Sequence, residues 1–274
     1  MDNHRLFTNI KLKITGDKLV YTQYEKDFAV GPNPYARNKR PRDPNKPKTF
    51  RRYIIRKAKQ TVVDLINTNC NAYINPKTKK SFAPTFATFT FAQNLQDIPQ
   101  AKKLFRDFIR RLSRNITDDA SQQSYLQYLG VIEFQRRGAI HFHVVFFNLP
   151  YIWNGLLQEI WSHGYTDIRL IEDIQNIGAY IAKYIGKDMG DPRLYDQPSY
   201  FRSRGLKEPL KVYGATIPDY LIANLPLEAM TQQKCNFPTG YLGNADQMTF
   251  DLRDFPEDRK MLDYLISKTL ITEG

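Results

Sequence analysis

A chain of 274 residues with a net charge of +12 and a pI of about 9.5 has room for one large domain or two small ones, and it favours a polyanionic partner, nucleic acid ahead of an anionic membrane surface. Its 42% apolar share is enough for a core. No apolar run approaches the roughly 18 residues of a membrane span, the first residues lack the apolar centre of a signal peptide, and no G-x-x-x-x-G-K-[ST] phosphate loop is present. The two distant cysteines, Cys70 and Cys235, form neither a metal motif nor a disulfide framework, so a reduced, intracellular protein is expected.

In chain order, Ile10–Ile14 and Lys18–Tyr24 are β-like and predict a small hairpin or arm. Residues 31–52, GPNPYARNKRPRDPNKPKTFRR, are punctuated by Pro and Gly and strongly basic, which reads as a connector or as an arm along a phosphate backbone. Tyr53–Asn69 is a predicted helix, and Asn75–Lys80 a basic turn. Pro84–Gln93 alternates Phe86, Thr88 and Thr90 with Ala87, Phe89 and Phe91, as a strand does. Asp97 is placed to cap a helix over Ile98–Asn115, whose apolar stripe is backed by a basic side. Tyr151–Trp161 predicts a helix with Trp153, Leu156, Leu157, Ile160 and Trp161 inward, and His163 stands at its C-terminal end, where a dipole favours a cation. Tyr165–Leu170 is a short strand. The remainder predicts a covering segment over Val212–Leu225, a hairpin around Gly243-Asn244 and a terminal helix over Pro256–Lys268.

The chemistry-bearing stretch is Val131–Asn148, VIEFQRRGAIHFHVVFFN. Two β-like runs flank Arg136-Arg137-Gly138, with Gly in the position that needs left-handed backbone, so a hairpin is expected. In that register Gln135 faces Ala139 and Glu133 faces His141. Strand alternation then puts Glu133, His141 and His143 on one face, with Phe142 on the other. Opposed side chains are about 4.5–5.5 Å apart at Cβ, so two imidazoles and a carboxylate converge. Such a mixed N and O set suits a divalent ion with positions left open, although two histidines on a half-solvated strand would show the same spelling. The run strand, helix, strand, strand, helix, strand predicts an α+β, ferredoxin-like split βαβ sheet, with helices on one face and the histidine-bearing face open.

A second constellation follows. A helix over Asp173–Asp188 places Tyr180, Lys183, Tyr184 and Lys187 on one face and Ile174, Ile177, Ile181 and Ile185 on an apolar stripe. That is ordinary amphipathic packing with tyrosines at its edge, or a phenol whose ionisation the neighbouring lysines favour. A tyrosine can act as a covalent nucleophile, and with a polarising cation and a basic chain the chemistry that uses all three is transfer of a phosphodiester onto tyrosine.

These residues resemble the HUH endonuclease superfamily, and within it the two-tyrosine rolling-circle replication initiators of small phages and plasmids. Phe86–Phe91 is similar to the family's first motif, His141-Phe142-His143 with Glu133 to its metal motif, and Tyr180-x-x-Lys183 with Tyr184 to its nucleophile motif. The likeness covers about Pro84–Asp188 plus Tyr200–Pro209. It implies Mg²⁺ or Mn²⁺ on His141, His143 and Glu133, attack by Tyr180 to form a 5′-phosphotyrosine, a second step on Tyr184, and charge stabilisation by Lys183. It further implies single-stranded origin DNA as substrate, touched by Arg136, Arg137, Lys187, Arg202 and Arg204 (with Lys207 in the same basic cluster). A separate helicase and polymerase of the host or plasmid would be needed, and the place of action would be the cytoplasm of a bacterial host. The expected division is a basic N-terminal extension over 1–80, an endonuclease domain over 81–210 and a C-terminal extension over 211–274 packing on it. A transposase or plasmid relaxase of the same chemistry, or a non-catalytic DNA- or RNA-binding module, would share much of this spelling.

Overall fold

The computed structural model describes residues 6–31, 48–75, 78–116, 126–171, 181, 192–194, 198, 200–214 and 216–272. The predicted helix face bearing Tyr180, Lys183, Tyr184 and Lys187 lies outside these residues, as do most of the basic stretch 31–52 and the loop 117–124. The chain divides into two compact units, residues 1–40 with 209–274, and residues 41–208. This cuts the sequence differently from the expected order of extension, domain and extension. The strands before residue 31 join the C-terminal segment, because the two supply neighbouring strands of one sheet.

The unit of residues 41–208 begins with helix α1 (Lys48–Asn69) and holds strands β3 (Thr85–Thr90), β4 (Tyr128–Phe134), β5 (Ile140–Phe146), β6 (Thr166–Leu170) and β7 (Phe201–Arg202). Helix α2 (Ile98–Ile116) follows β3, and α3 (Asn154–Trp161) follows β5. The strands form an antiparallel sheet in the order β6-β3-β5-β4-β7. Without the short β7, that is the expected split βαβ plan with the histidine-bearing β5 in the middle. Asp97 caps α2 as its sequence suggests, Oδ1 accepting from the Gln100 N–H at 2.8 Å. One sheet face presents Ala87, Phe89, Ile132, Phe134, Ile140, Phe142, Val144 and Phe146 to α2 and α3. Phe89, Phe105, Phe108, Phe142 and Trp161 interlock there at tilted and edge-on angles, the geometry that aromatic quadrupoles prefer.

The opposite face is not wholly open. Phe86, Leu129, Val131, Val145 and Phe147 lie on it and pack with Val62, Leu65 and Ile66 of α1, with Ile181 and with Leu206. A face with five large apolar residues at one end cannot stay in water, and the unbroken run Val144–Phe147 already implies burial on both sides. The other end of the same face is polar and carries the site. The C-terminal end of α1 is pinned by Asn69, fully buried, whose Nδ2 donates to the Leu65 and Lys207 carbonyls while Oδ1 accepts from the Lys207 N–H.

Two local expectations are corrected. Trp153 is the residue before α3 rather than an inward helical residue, and it is 61% exposed. His163 is not a cationic partner of the α3 dipole. Arg111 takes that place, its guanidinium donating to the Ile160 and Trp161 carbonyls at 3.0–3.2 Å. Burial, and then the Arg111 charge beside it, hold His163 below its usual pKa.

The unit formed by residues 1–40 and 209–274 contains β1 (Leu6–Thr15), β2 (Lys18–Val30), β8 (Leu210–Tyr213), α4 (Thr216–Asn224), β9 (Met230–Pro238), β10 (Asn244–Asp251) and α5 (Pro256–Thr272). Its sheet runs β8-β1-β2-β10-β9. Ile10, Leu12, Ile14, Leu19, Tyr21 and Phe250 pack on one side with Leu221 and Leu262 of the two helices. The β1–β2 pair is thus part of a five-stranded sheet, and the predicted hairpin around Gly243 is its β9–β10 edge.

Candidate metal centre

The hairpin forms in the register that alternation predicts. Glu133 pairs with His141 and Val131 with His143. The Gln135 N–H donates to the Ala139 carbonyl at 2.8 Å, and Gly138 takes φ 86°, a backbone state that suits a residue without Cβ. β3 lies on the other side of β5, pairing Thr88 with His143 and Thr90 with His141. Three strands therefore supply one polar patch: Glu133 from β4, both histidines from β5, and two threonines from β3.

Glu133, His141 and His143 each turn a ligand atom into a region where all three atoms lie within 4.8 Å of one another. Glu133 and His143 are only 7% and 6% exposed, and His141 is half-buried. The close contact is diagonal rather than directly across, with Glu133 Oε2 2.6 Å from His143 Nε2. A carboxylate this buried needs such a partner, since an unpaired charge away from water is expensive. The His143 ring is fixed on three sides. Its Nδ1 is 3.2 Å from Thr88 Oγ1, its plane stacks on Phe86 at 6° with centroids 5.7 Å apart, and Nε2 faces Glu133. With Nδ1 engaged by a hydroxyl, Nε2 is the atom left for a cation, the arrangement by which a neighbouring group orients a ligating imidazole.

The three side chains could together hold a metal ion. Adjacent ligands of a small cation with bonds of about 2.1 Å sit roughly 3 Å apart, so the Glu133–His143 pair needs to open by only a few tenths of an ångström. Three protein donors leave coordination positions for oxygens of a substrate or water.

His141 has a neighbour that sequence reading placed only as a backbone partner. The Gln135 side-chain amide contacts His141 Nε2, and Arg137 Nε donates to Gln135 Oε1 at 2.9 Å. Arg137 in turn donates to the Phe91 and Ala92 carbonyls at 2.6 and 3.3 Å. The signal was present, since Gln135 and Glu133 share a strand face by alternation, but the recruitment of Arg137 depends on where β3 ends. Arg193 braces the same loop, donating to Gly138 O at 3.1 Å and Gln96 Oε1 at 3.2 Å, with its guanidinium over the Phe134 ring.

The residues expected to meet a polyanion divide. Arg136, Arg137, Arg202, Arg204 and Lys207 are all exposed, and they differ in what their side chains already hold. The Arg137 guanidinium donates to the Phe91 and Ala92 carbonyls just past β3, and Arg202 is ion-paired to Glu208. Lys207 Nζ donates to Ala72 O, with its ammonium over the Tyr73 ring. Tyr180, Lys183, Tyr184 and Lys187 lie outside the described residues, but Ile181, from the same predicted helix, is helical and fully buried against the site-bearing face of the sheet.

Among the described residues no helix is long and apolar enough to cross a membrane. Residues 84–189 match the model of a family described as replication-associated protein, which supports a replication-initiator type of protein. No curated protein and no solved structure matches the chain.

Proposed function

We propose that this chain nicks and rejoins single-stranded DNA at a replication origin by transesterification onto tyrosine. The observation that carries the reading is the convergence of Glu133, His141 and His143 on one face of β4 and β5, inside the segment that matches a replication-associated family. A cation bound there, Mg²⁺ or Mn²⁺, would polarise a non-bridging oxygen of the scissile phosphate. The protein's part is to hold that donor set rigid. Phe86 and Thr88 keep the His143 ring in place, and the sheet keeps Glu133 beside it.

The nucleophile of this proposal is Tyr180. Its phenolate oxygen forms a bond to the phosphorus, the bond from phosphorus to the 3′ oxygen breaks, and that oxygen takes up a proton to become a 3′-OH able to prime synthesis. The DNA 5′ end remains as a phosphotyrosine. Lys183 favours the phenolate, because a cation nearby lowers a phenol's pKa. Tyr184, one helical turn on, would attack the regenerated junction after a round of copying. The burial of Ile181 against the sheet face that carries the metal donors supports this placement of the nucleophile helix. Arg136, Arg204 and Lys187 would meet the strand.

The test is a random-sequence single-stranded DNA pool incubated with the protein and Mn²⁺, followed by denaturing electrophoresis. A covalent protein–DNA band is expected, and it should vanish in Tyr180→Phe and in His143→Ala. Sequencing the recovered DNA would separate a replication origin from a transposon end or a transfer origin. Tight binding without any covalent band, in either metal, would make the chain a plain nucleic-acid-binding module.

A further inference from the structure

We infer that the sheet β8-β1-β2-β10-β9 carries a second DNA-holding surface on the face turned away from α4 and α5: single-stranded bases stack against Tyr24, Phe28 and Tyr213 while lysines of β1 and β8 follow the phosphates. This surface belongs to the unit of residues 1–40 and 209–274, not to the one that holds the metal centre. The inference rests on the reading above only for the choice of DNA as the polyanion.

Strand alternation sorts this sheet into two unlike faces. Leu19 pairs with Ile14 and with Phe250, and all three are buried with Leu221 of α4 and Leu262 of α5. One residue along, Val20 pairs with Lys13 and Thr249 and is only half-buried. Lys11 shares that second face, and β8 sets Tyr213 opposite Lys11 and the exposed Lys211 opposite Lys13. Lys18 lies on it two residues before Val20. Among the described residues that the pairing places there, Asp251 is the sole acid, and Arg253 donates to both its oxygens at 2.6 and 3.0 Å. Like charges directly opposite one another destabilise a sheet. A polyanion laid along the strands reverses that term, because each lysine then neutralises a phosphate.

The aromatic part adjoins the lysines. Phe28 meets Tyr24 edge-on with centroids 5.2 Å apart and Tyr213 with centroids 6.0 Å apart, so the three rings form one run. All three are half-buried, held by their neighbours with part of each ring left open. Burial raises the pKa of Tyr24 and Tyr213, so both face a base as neutral phenols at neutral pH. Every base has a π face that such rings accept, which makes the grip tolerant of sequence. A duplex keeps its bases stacked on one another and cannot use the rings. Lysines alone would serve any polyanion, and rings alone an apolar peptide. The two together fit a strand that has both phosphates and free base faces.

The test uses the full chain in EDTA, so that nothing depends on the metal centre. Affinity for a fluorescent mixed-sequence single-stranded DNA, read by anisotropy, should fall about 5- to 150-fold in Tyr213→Ala and be kept in Tyr213→Phe. Replacing Lys13 and Lys211 together by Ala should make the dependence of log affinity on log salt shallower by about 1.4. Lys260→Ala on α5, which removes a charge from elsewhere in the same unit, should leave that dependence as it is. Photocrosslinking with an iododeoxyuridine oligonucleotide should label the peptides that hold Tyr24, Phe28 or Tyr213. If Tyr213→Ala is poorly folded by circular dichroism, the lysine variant and the crosslinks carry the decision. Unchanged affinity and salt dependence in folded variants, with crosslinks confined to residues 41–208, overturns the second surface and leaves the nicking proposal standing. Equal or tighter binding of duplex DNA or of heparin overturns it too, by making charge sufficient, and a marked preference for RNA of the same sequence overturns the choice of DNA. Weakened binding in the variants of a chain that forms no covalent adduct in Mn²⁺ supports this surface and removes the nicking proposal instead.

Discussion

At the scale of single residues, side chains that a sequence reader would give the same role are separated by a few ångströms of context. The four histidines include two with opposite circumstances. His143 has a hydroxyl, an aromatic face and a carboxylate around it. His163 has Trp161 and Phe91 beside it, and its Nε2 is buried without a hydrogen-bond partner. Because burial and the Arg111 charge lower the His163 pKa, the unfolded chain takes up a proton at this position before the folded one does. Its contribution to stability is therefore intact above the unfolded pKa of about 6.5 and is lost as pH falls through that value toward the lower folded one. His163→Phe should lose less melting temperature between pH 7.5 and pH 5 than the parent, as thermal scans across that range would show. An equal loss in both would mean that this imidazole is not a source of acid sensitivity. Cys70 is a similar case of context. Burial pushes its thiol up to about 12, so it behaves as a small apolar group rather than a nucleophile.

At the scale of elements, the site depends on how strand ends meet loops. Gly164 follows the turn after α3, where the backbone passes so close to β3 that a Cβ would lie 2.5 Å from the Thr90 carbonyl oxygen and 2.6 Å from the Ala92 nitrogen. The same crossing carries the bonds from Thr90 N–H to Tyr165 O and from Ala92 N–H to His163 O. Gly164→Ala should cost about 1–3 kcal/mol through forced backbone shifts, measured by urea unfolding. Gly31→Ala is the comparison, since it too has positive φ but nothing within 4 Å of the new carbon, and it should cost less. Equal costs would mean that backbone conformation, and not the close approach, decides both. The hairpin glycine, Gly138, serves the site more directly, because the loop it closes sets the reach of Arg137 and Gln135.

At the scale of the whole molecule, the division of the chain makes a prediction that a linear reading would not. Residues 41–208 are continuous and hold both faces of the site-bearing sheet, including α1. Expressed alone, they should fold cooperatively and retain Mn²⁺ binding close to that of the full chain. Residues 1–208 should behave worse than residues 41–208, despite being longer. Removing β8, β9 and β10 leaves β1 and β2 without their sheet neighbours and exposes Ile10, Leu12, Ile14 and Leu19. Size-exclusion chromatography of the two fragments would decide it, and a monodisperse 1–208 would contradict this account. Starting a fragment at residue 81 instead should fail, because it deletes the α1 residues Val62, Leu65 and Ile66 that cover Phe86, Val131 and Val145.

The amino-acid order alone determined the hairpin, its register and the convergence of Glu133 with two histidines, because strand alternation and a three-residue turn are local rules that need no knowledge of distant neighbours. It determined the split βαβ plan for the same reason, through the alternation of β-like runs with an amphipathic helix and a capping Asp97. Tertiary structure decided what depends on residues far apart in the chain. α1 covers half of the face expected to be open, the N-terminal strands take their partners from the C-terminal segment, and Arg137, though exposed, lends its guanidinium to the carbonyls of Phe91 and Ala92 just past β3. In each case burial of apolar surface or satisfaction of a backbone carbonyl chose the neighbour, and neither choice is written in the spacing of the residues that make it.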